Sequence, residues 1–161
     1  MNLPKLFQLQ KNLNDRIEEE HNLNNNSLLP KRILALQVEL GELANETRCF
    51  KYWSTKGPSD KDTVLEEFVD CLHFILTIGI DKNFYDIDVE LIPSESSITD
   101  QFLNLYIDIN DLVITSSKDH YVTLFEDFIS LGNSLGFDSK DIEEAYLKKN
   151  TLNHKRQDNG Y

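Results

Sequence analysis

The chain has 161 residues, 40% of them hydrophobic and 27% charged, and a formal net charge of −12. That length suits one domain with a real hydrophobic core. The acidic balance argues against non-specific binding to DNA or RNA, which needs a basic footprint, and against an anionic membrane surface as partner. A phosphate-bearing ligand would need bound cations to screen the repulsion.

Apolar spacing and turn residues predict helices throughout. The first spans residues 3–21, with Pro4 near its first turn, and an asparagine-rich loop follows over 22–27. The second starts near Pro30, a residue suited to a first turn, and runs over 30–50. The segment 54–59, with Gly57-Pro58 at its centre, is a break. The third helix covers 60–81, and 82–97 is an acidic connection containing Pro93. The fourth covers 98–116 and the fifth 119–135, with Gly136 as a helix stop. The sixth covers 138–152, leaving 153–161 as a polar tail able to order over a ligand. Strand alternation is weak everywhere, so the expected fold is a single all-α domain, a bundle of five to six helices.

Cys49 and Cys71 lie in no metal-binding spacing, and Cys71 sits in an apolar helix as a small core residue. A reducing, cytoplasmic setting is expected. No signal peptide or membrane-length apolar run is seen. Charge is uneven: residues 84–128 hold ten acids against one base, Lys118, whereas the end of the chain carries Lys148, Lys149, Lys155 and Arg156.

The chemistry is carried by two carboxylate pairs, Glu39-Leu40-Gly41-Glu42 and Glu67-Phe68-Val69-Asp70. Spaced i, i+3, the members of each pair share a helix face. Projected at about 100° per residue, Glu39, Glu42 and Glu46 form a stripe flanked by Ala35, Leu36 and Leu43. The third helix is apolar around most of its circumference, and its solvent stripe is expected at Asp62, Glu66, His73 and Thr77, with Glu67 and Asp70 at or beyond the edge beside Phe74. An isolated ExxE is usually a pair of solvated surface charges with basic neighbours. Here there is no Lys or Arg between Arg32 and Arg48, nor between Lys61 and Lys82. Uncompensated acids on half-apolar faces are best relieved by a shared divalent cation, and a hard all-oxygen set selects Mg²⁺, Mn²⁺ or Ca²⁺ over zinc. Asp70-x-x-His73 and Glu18-x-x-His21 resemble halves of a di-iron motif, but one begins with Asp and the other lies at a helix end, so His73 is read as structural.

Glu39-x-x-Glu42, 24 residues, then Glu67-x-x-Asp70, together with the segment from Leu40 to Trp53, the first-helix motif from Leu9 to Asp15 and the tail from Lys149 to Tyr161, occur in the order seen in the dimeric, all-α dUTPases. The chain resembles that family, within the MazG-like all-α nucleoside triphosphate pyrophosphatases, over nearly its whole length. The resemblance implies a homodimer that uses Mg²⁺ (two or three ions, with Mn²⁺ as a substitute) to hydrolyse dUTP, and dUDP, to dUMP. It assigns Glu39, Glu42, Glu67 and Asp70 to metal and makes Glu42 the residue that orients or deprotonates water. Gln10 and Asn14 would read the uracil edge, Phe74 would stack on the base, and Trp53 would close over it from its loop. Lys149, Asn153, Arg156 and Tyr161 would hold phosphate. Two other functions fit the residues themselves. One is the same chemistry on another base, such as dCTP. The other is a non-catalytic acidic helical interaction protein.

Overall fold

A computed structural model describes residues 1–23 and 28–160. Six α-helices occur among them: α1 (Leu3–Glu20), α2 (Leu29–Thr47), α3 (Lys61–Lys82), α4 (Ile98–Ile114), α5 (Lys118–Ser134) and α6 (Ser139–Asp158). The expected all-α bundle is present. The helix starts follow side-chain caps: Asn2, Asp60, Ser97, Ser117 and Asp138 each accept a backbone N–H from the first turn of the helix that follows. Asp138 and Asp141 also form a reciprocal capping box. The stops are local too. Gly136 at φ 85° ends α5, with Phe137 N–H donating to Gly132 O and Gly136 N–H to Asn133 O. Asn83 does the same for α3 at φ 57°.

Helix α3 is the axis of the bundle, packed against α1, α2, α5 and α6, while α4 and α5 form an antiparallel pair and α4 also touches α2. Phe68 on α3 stacks on Phe128 of α5 with ring centres 4.1 Å apart. Close approach is possible because α5 carries Gly132 beneath the Phe68 ring and α3 carries Gly79 against Tyr121. The Tyr121 hydroxyl, fully buried, donates to Ile75 O at 2.9 Å.

Two expectations need correction. His73 and Thr77 are not on a solvent stripe: both are buried, because α1 and α6 cover that side of α3 and supply polar partners. The sixth helix does not end at residue 152. It continues to Asp158, so Asn153 and Arg156 belong to a helix and not to a loose tail. Its last turns are pinned to α1, where Arg16 donates to His154 O and Asp158 Oδ1. No described helix is long and apolar enough to cross a membrane.

Candidate metal and nucleotide site

The two carboxylate pairs face each other across the α2–α3 contact. Each of Glu39, Glu67 and Asp70 offers an oxygen within 4.8 Å of the others. All three are half-buried. Glu42 is exposed and outside this tight trio, but its charge acts on Glu39 and Glu67. Glu46, on the same stripe, is engaged elsewhere: its side chain accepts from the Ser59 hydroxyl and its carbonyl from Ser59 N–H, tying the loop after α2 to that helix.

Electrostatics mark the trio as short of positive charge. Burial, then the charges of Asp70, Glu42 and Glu67, push the Glu39 carboxyl up to about 7. Burial and the neighbouring acids also raise Glu67. Asp70 is raised as well, mainly by burial, even though Lys149 Nζ donates to its Oδ2 at 2.7 Å. Lys149 also bonds Glu66 at 3.0 Å. Burial pulls the Lys149 pKa down, but these two carboxylates more than offset it. The donor set is all oxygen and hard, so the residues fit Mg²⁺ or Mn²⁺ and do not fit a thiophilic metal.

Beside the trio lies a cavity of about 520 Å³. Glu39 and Asp70 line it, as do Lys149, Asn153 and Arg156 of α6. Arg156 donates to Asn153 Oδ1 at 3.3 Å. Gln10 and Asn14 of α1 and Phe74 of α3 are also in the lining, as are the ion-paired Glu18 of α1 and Arg32 of α2. Gln10 and Asn14 are buried, not surface polar residues, and their amides are bonded to each other at 2.9 Å. The lining thus combines charged groups of both signs with apolar side chains and side-chain amides, which suits a ligand with an anionic part and a flat, hydrogen-bonding ring.

Most of the residues expected at the site are therefore together; Glu42 is outside both the trio and the cavity lining, and two more are apart from it. Trp53 does not line the cavity. It stands 64% exposed in the loop between α2 and α3, edge-on to Phe50 and Tyr52. Tyr161 lies outside the described residues. Sequence reasoning missed two buried polar groups in the cavity wall, His73 and Thr77, and a third behind it, Tyr146, which bonds Gln10. A signal existed for Tyr146: it precedes Lys149 and Asn153 by one and two helical turns, and a tyrosine on such a face needs a partner for its hydroxyl.

A family model described as dUTPase matches residues 2–161. No curated protein matches the chain. The match runs through every helix that contributes to the acid trio and the cavity, so the chain belongs to the all-α dUTPase family and is a dUTP diphosphatase.

Proposed function

We propose that the enzyme hydrolyses dUTP, and also dUDP, to dUMP in an Mg²⁺-dependent reaction, with Mn²⁺ as a substitute. The observation that carries this is the convergence of Glu39, Glu67 and Asp70 within 4.8 Å, beside a cavity of a size to take a nucleotide that Glu39 and Asp70 help line. These three, with Glu42, whose charge acts on Glu39 and Glu67, are the residues that would hold the metal. Mg²⁺, when bound, supplies charge neutralisation to the phosphate oxygens. The protein's own contribution is positioning. Lys149, Asn153 and Arg156 present cationic and amide donors to the phosphates from one face of α6. Phe74 offers a ring face to the base, with Gln10 and Asn14 at its edge. Glu42, exposed and near the trio, accepts the proton of the attacking water. Trp53 and Tyr161 complete the binding set from the loop and the chain end.

Assembly follows from surface chemistry. Leu34 and Val38 on α2 and Leu103 and Ile107 on α4 are 50–61% exposed on two helices that touch each other. Exposed apolar side chains of this kind are best covered by a second copy, as a homodimer. The free thiols of Cys49 and Cys71 suit a cytoplasmic setting.

The test is phosphate and pyrophosphate release from dUTP, dUDP, dCTP, dTTP and UTP, with Mg²⁺ and with EDTA, beside Glu42→Gln. Release from dUTP and dUDP that needs Mg²⁺ and falls by about 10²–10⁴ in the variant is expected. EDTA-resistant turnover would remove the metal from the reading, and fast dCTP turnover would replace the base.

A further inference from the structure

The inner wall of the cavity holds a continuous relay of polar side chains from three helices. Gln10 Oε1 lies 2.6 Å from His73 Nδ1 and accepts from the Tyr146 hydroxyl at 2.9 Å. Gln10 Nε2 donates to Asn14 Oδ1 at 2.9 Å, and the same oxygen accepts from the Thr77 hydroxyl at 3.2 Å. All five residues are at least nine-tenths buried, so water does not compete for these bonds. Among the described residues, two atoms of the relay have no hydrogen-bond partner: Asn14 Nδ2 and His73 Nε2. Both residues line the cavity.

A pair of bonded amides can run in two directions, because exchanging oxygen and nitrogen in both leaves the skeleton unchanged. Two observations select one direction. The 2.6 Å contact to His73 Nδ1 lies nearer the N–H···O range than the longer N–H···N range, which favours oxygen as the Gln10 atom facing the ring. The Tyr146 hydroxyl must also donate, and its alternative acceptor, Leu6 O, is at 3.4 Å. Tyr146 is held in place by stacking on the His73 ring, with centres 4.4 Å apart. With the Gln10 oxygen turned to Tyr146 and His73, its NH₂ faces Asn14, the Asn14 oxygen faces back, and the Asn14 NH₂ is left for the cavity. By the same logic His73 carries its proton on Nδ1 and keeps Nε2 as a bare acceptor. Burial, and secondarily Lys149, hold the ring neutral, with its pKa pushed down to about 3.

We propose that Tyr146 is a specificity-positioning residue: through Gln10 its hydroxyl fixes Asn14 as donor and His73 as acceptor toward the cavity, a polarity that matches the C=O and N3–H of uracil and opposes the amino group and bare N3 of cytosine. This rests on the uracil reading above. Uracil finds both orphaned atoms satisfied. Cytosine meets donor with donor and acceptor with acceptor, and sites of this kind discriminate strongly because buried polar groups are left unpaired. Thymine shares uracil's edge, so the relay does not separate dTTP from dUTP.

The experiment compares kcat/KM for dUTP and dCTP in the wild type, Tyr146→Phe, Thr77→Val and Asn14→Asp, with thermal unfolding of each. Tyr146→Phe removes the donor that sets the direction and should lower the dUTP:dCTP preference by about tenfold or more, chiefly through KM for dUTP. Thr77→Val, which removes the second donor to Asn14, should lower it in the same sense and serves if Tyr146→Phe does not fold. Asn14→Asp presents only acceptors and should move preference toward dCTP. Folded Tyr146→Phe or Thr77→Val enzyme with the wild-type preference would overturn the relay. A wild type that hydrolyses no nucleotide would instead overturn the enzymatic reading, so the two failures are distinguishable.

Discussion

Lys149 Nζ sits 2.7 Å from Asp70 Oδ2, so a cation from α6 already occupies one side of the carboxylate trio. The same lysine lines the cavity where phosphate would lie. It therefore has two competing partners, an acid that metal would also claim and an anion that arrives with the nucleotide.

Opposite effects follow for Lys149→Gln. Removing a positive charge this close to Asp70 should tighten binding of Mg²⁺ or Mn²⁺ alone by about fivefold or more, since roughly 1 kcal/mol is enough. KM for dUTP should rise, because a phosphate donor is lost. Isothermal calorimetry with metal and steady-state kinetics read the two effects separately. Unchanged metal affinity would mean that Lys149 and metal do not compete.

A second acidic pair lies away from the site. Asp108 on α4 is buried near Asp127 of α5, and Asn104 donates to Asp127 Oδ2 at 2.5 Å and to Asp108 Oδ2 at 3.5 Å. Burial first, then Asp127 and Asp111, pushes Asp108 up to about 7, with His120 acting the other way. A carboxyl raised on folding stabilises the fold while protonated. Its contribution is complete below its ordinary value near 4 and is lost as pH rises through about 7. Asp108→Asn should therefore raise Tm at pH 8 by a few degrees, and the gain over wild type should shrink toward pH 5. Scanning calorimetry at the two pH values checks it, and an equal gain at both would reject a protonated Asp108 in the fold.

Much of this was legible in the sequence, for reasons that differ by residue. The helices were, because apolar period and capping residues act locally, as Ser97, Asp138 and Gly136 illustrate. The carboxylate pairs were, because i, i+3 spacing and missing basic neighbours need no tertiary knowledge. His73 and Thr77 were misplaced because a polar side chain on an apolar helix looks solvent-facing until Gln10 and Asn14 arrive from a helix some sixty residues earlier in the chain. The reach of α6 to Asp158 was missed for a similar reason: its last turns are strongly polar and are held by Arg16 of α1, a contact with no sequence signature.

The packing of α3 on α5 depends on two glycines that fill no turn. A Cβ on Gly79 would stand 2.2 Å from the Tyr121 hydroxyl, and one on Gly132 would stand 2.6 Å from the Phe68 ring. Alanine is the better helix former by about 1 kcal/mol, yet Gly79→Ala should destabilise by about 1–3 kcal/mol, because Tyr121 is fully buried and must give up its bond to Ile75 O to make room. Thermal unfolding should show a Tm lower by about 2–4 °C for each kcal/mol lost. A Tm at or above that of the wild type would mean that the two helices separate at little cost.

Trp53 is the chain's single tryptophan, which makes its position directly observable. It is 64% exposed, in contact with Phe50 and Tyr52, and outside the cavity wall. Arg48 braces this loop, donating to the Ser54 hydroxyl at 2.7 Å and to Lys56 O at 3.1 Å. If the loop closes on the base, Trp53 passes from water to a stacked, apolar setting. Its emission should then shift to shorter wavelength on adding dUMP with Mg²⁺, and the shift should vanish in Asn14→Asp, where the base edge is mispaired. An indole that keeps its exposed emission at saturating dUMP would exclude Trp53 from the binding set and leave Phe74 as the aromatic contact to the base.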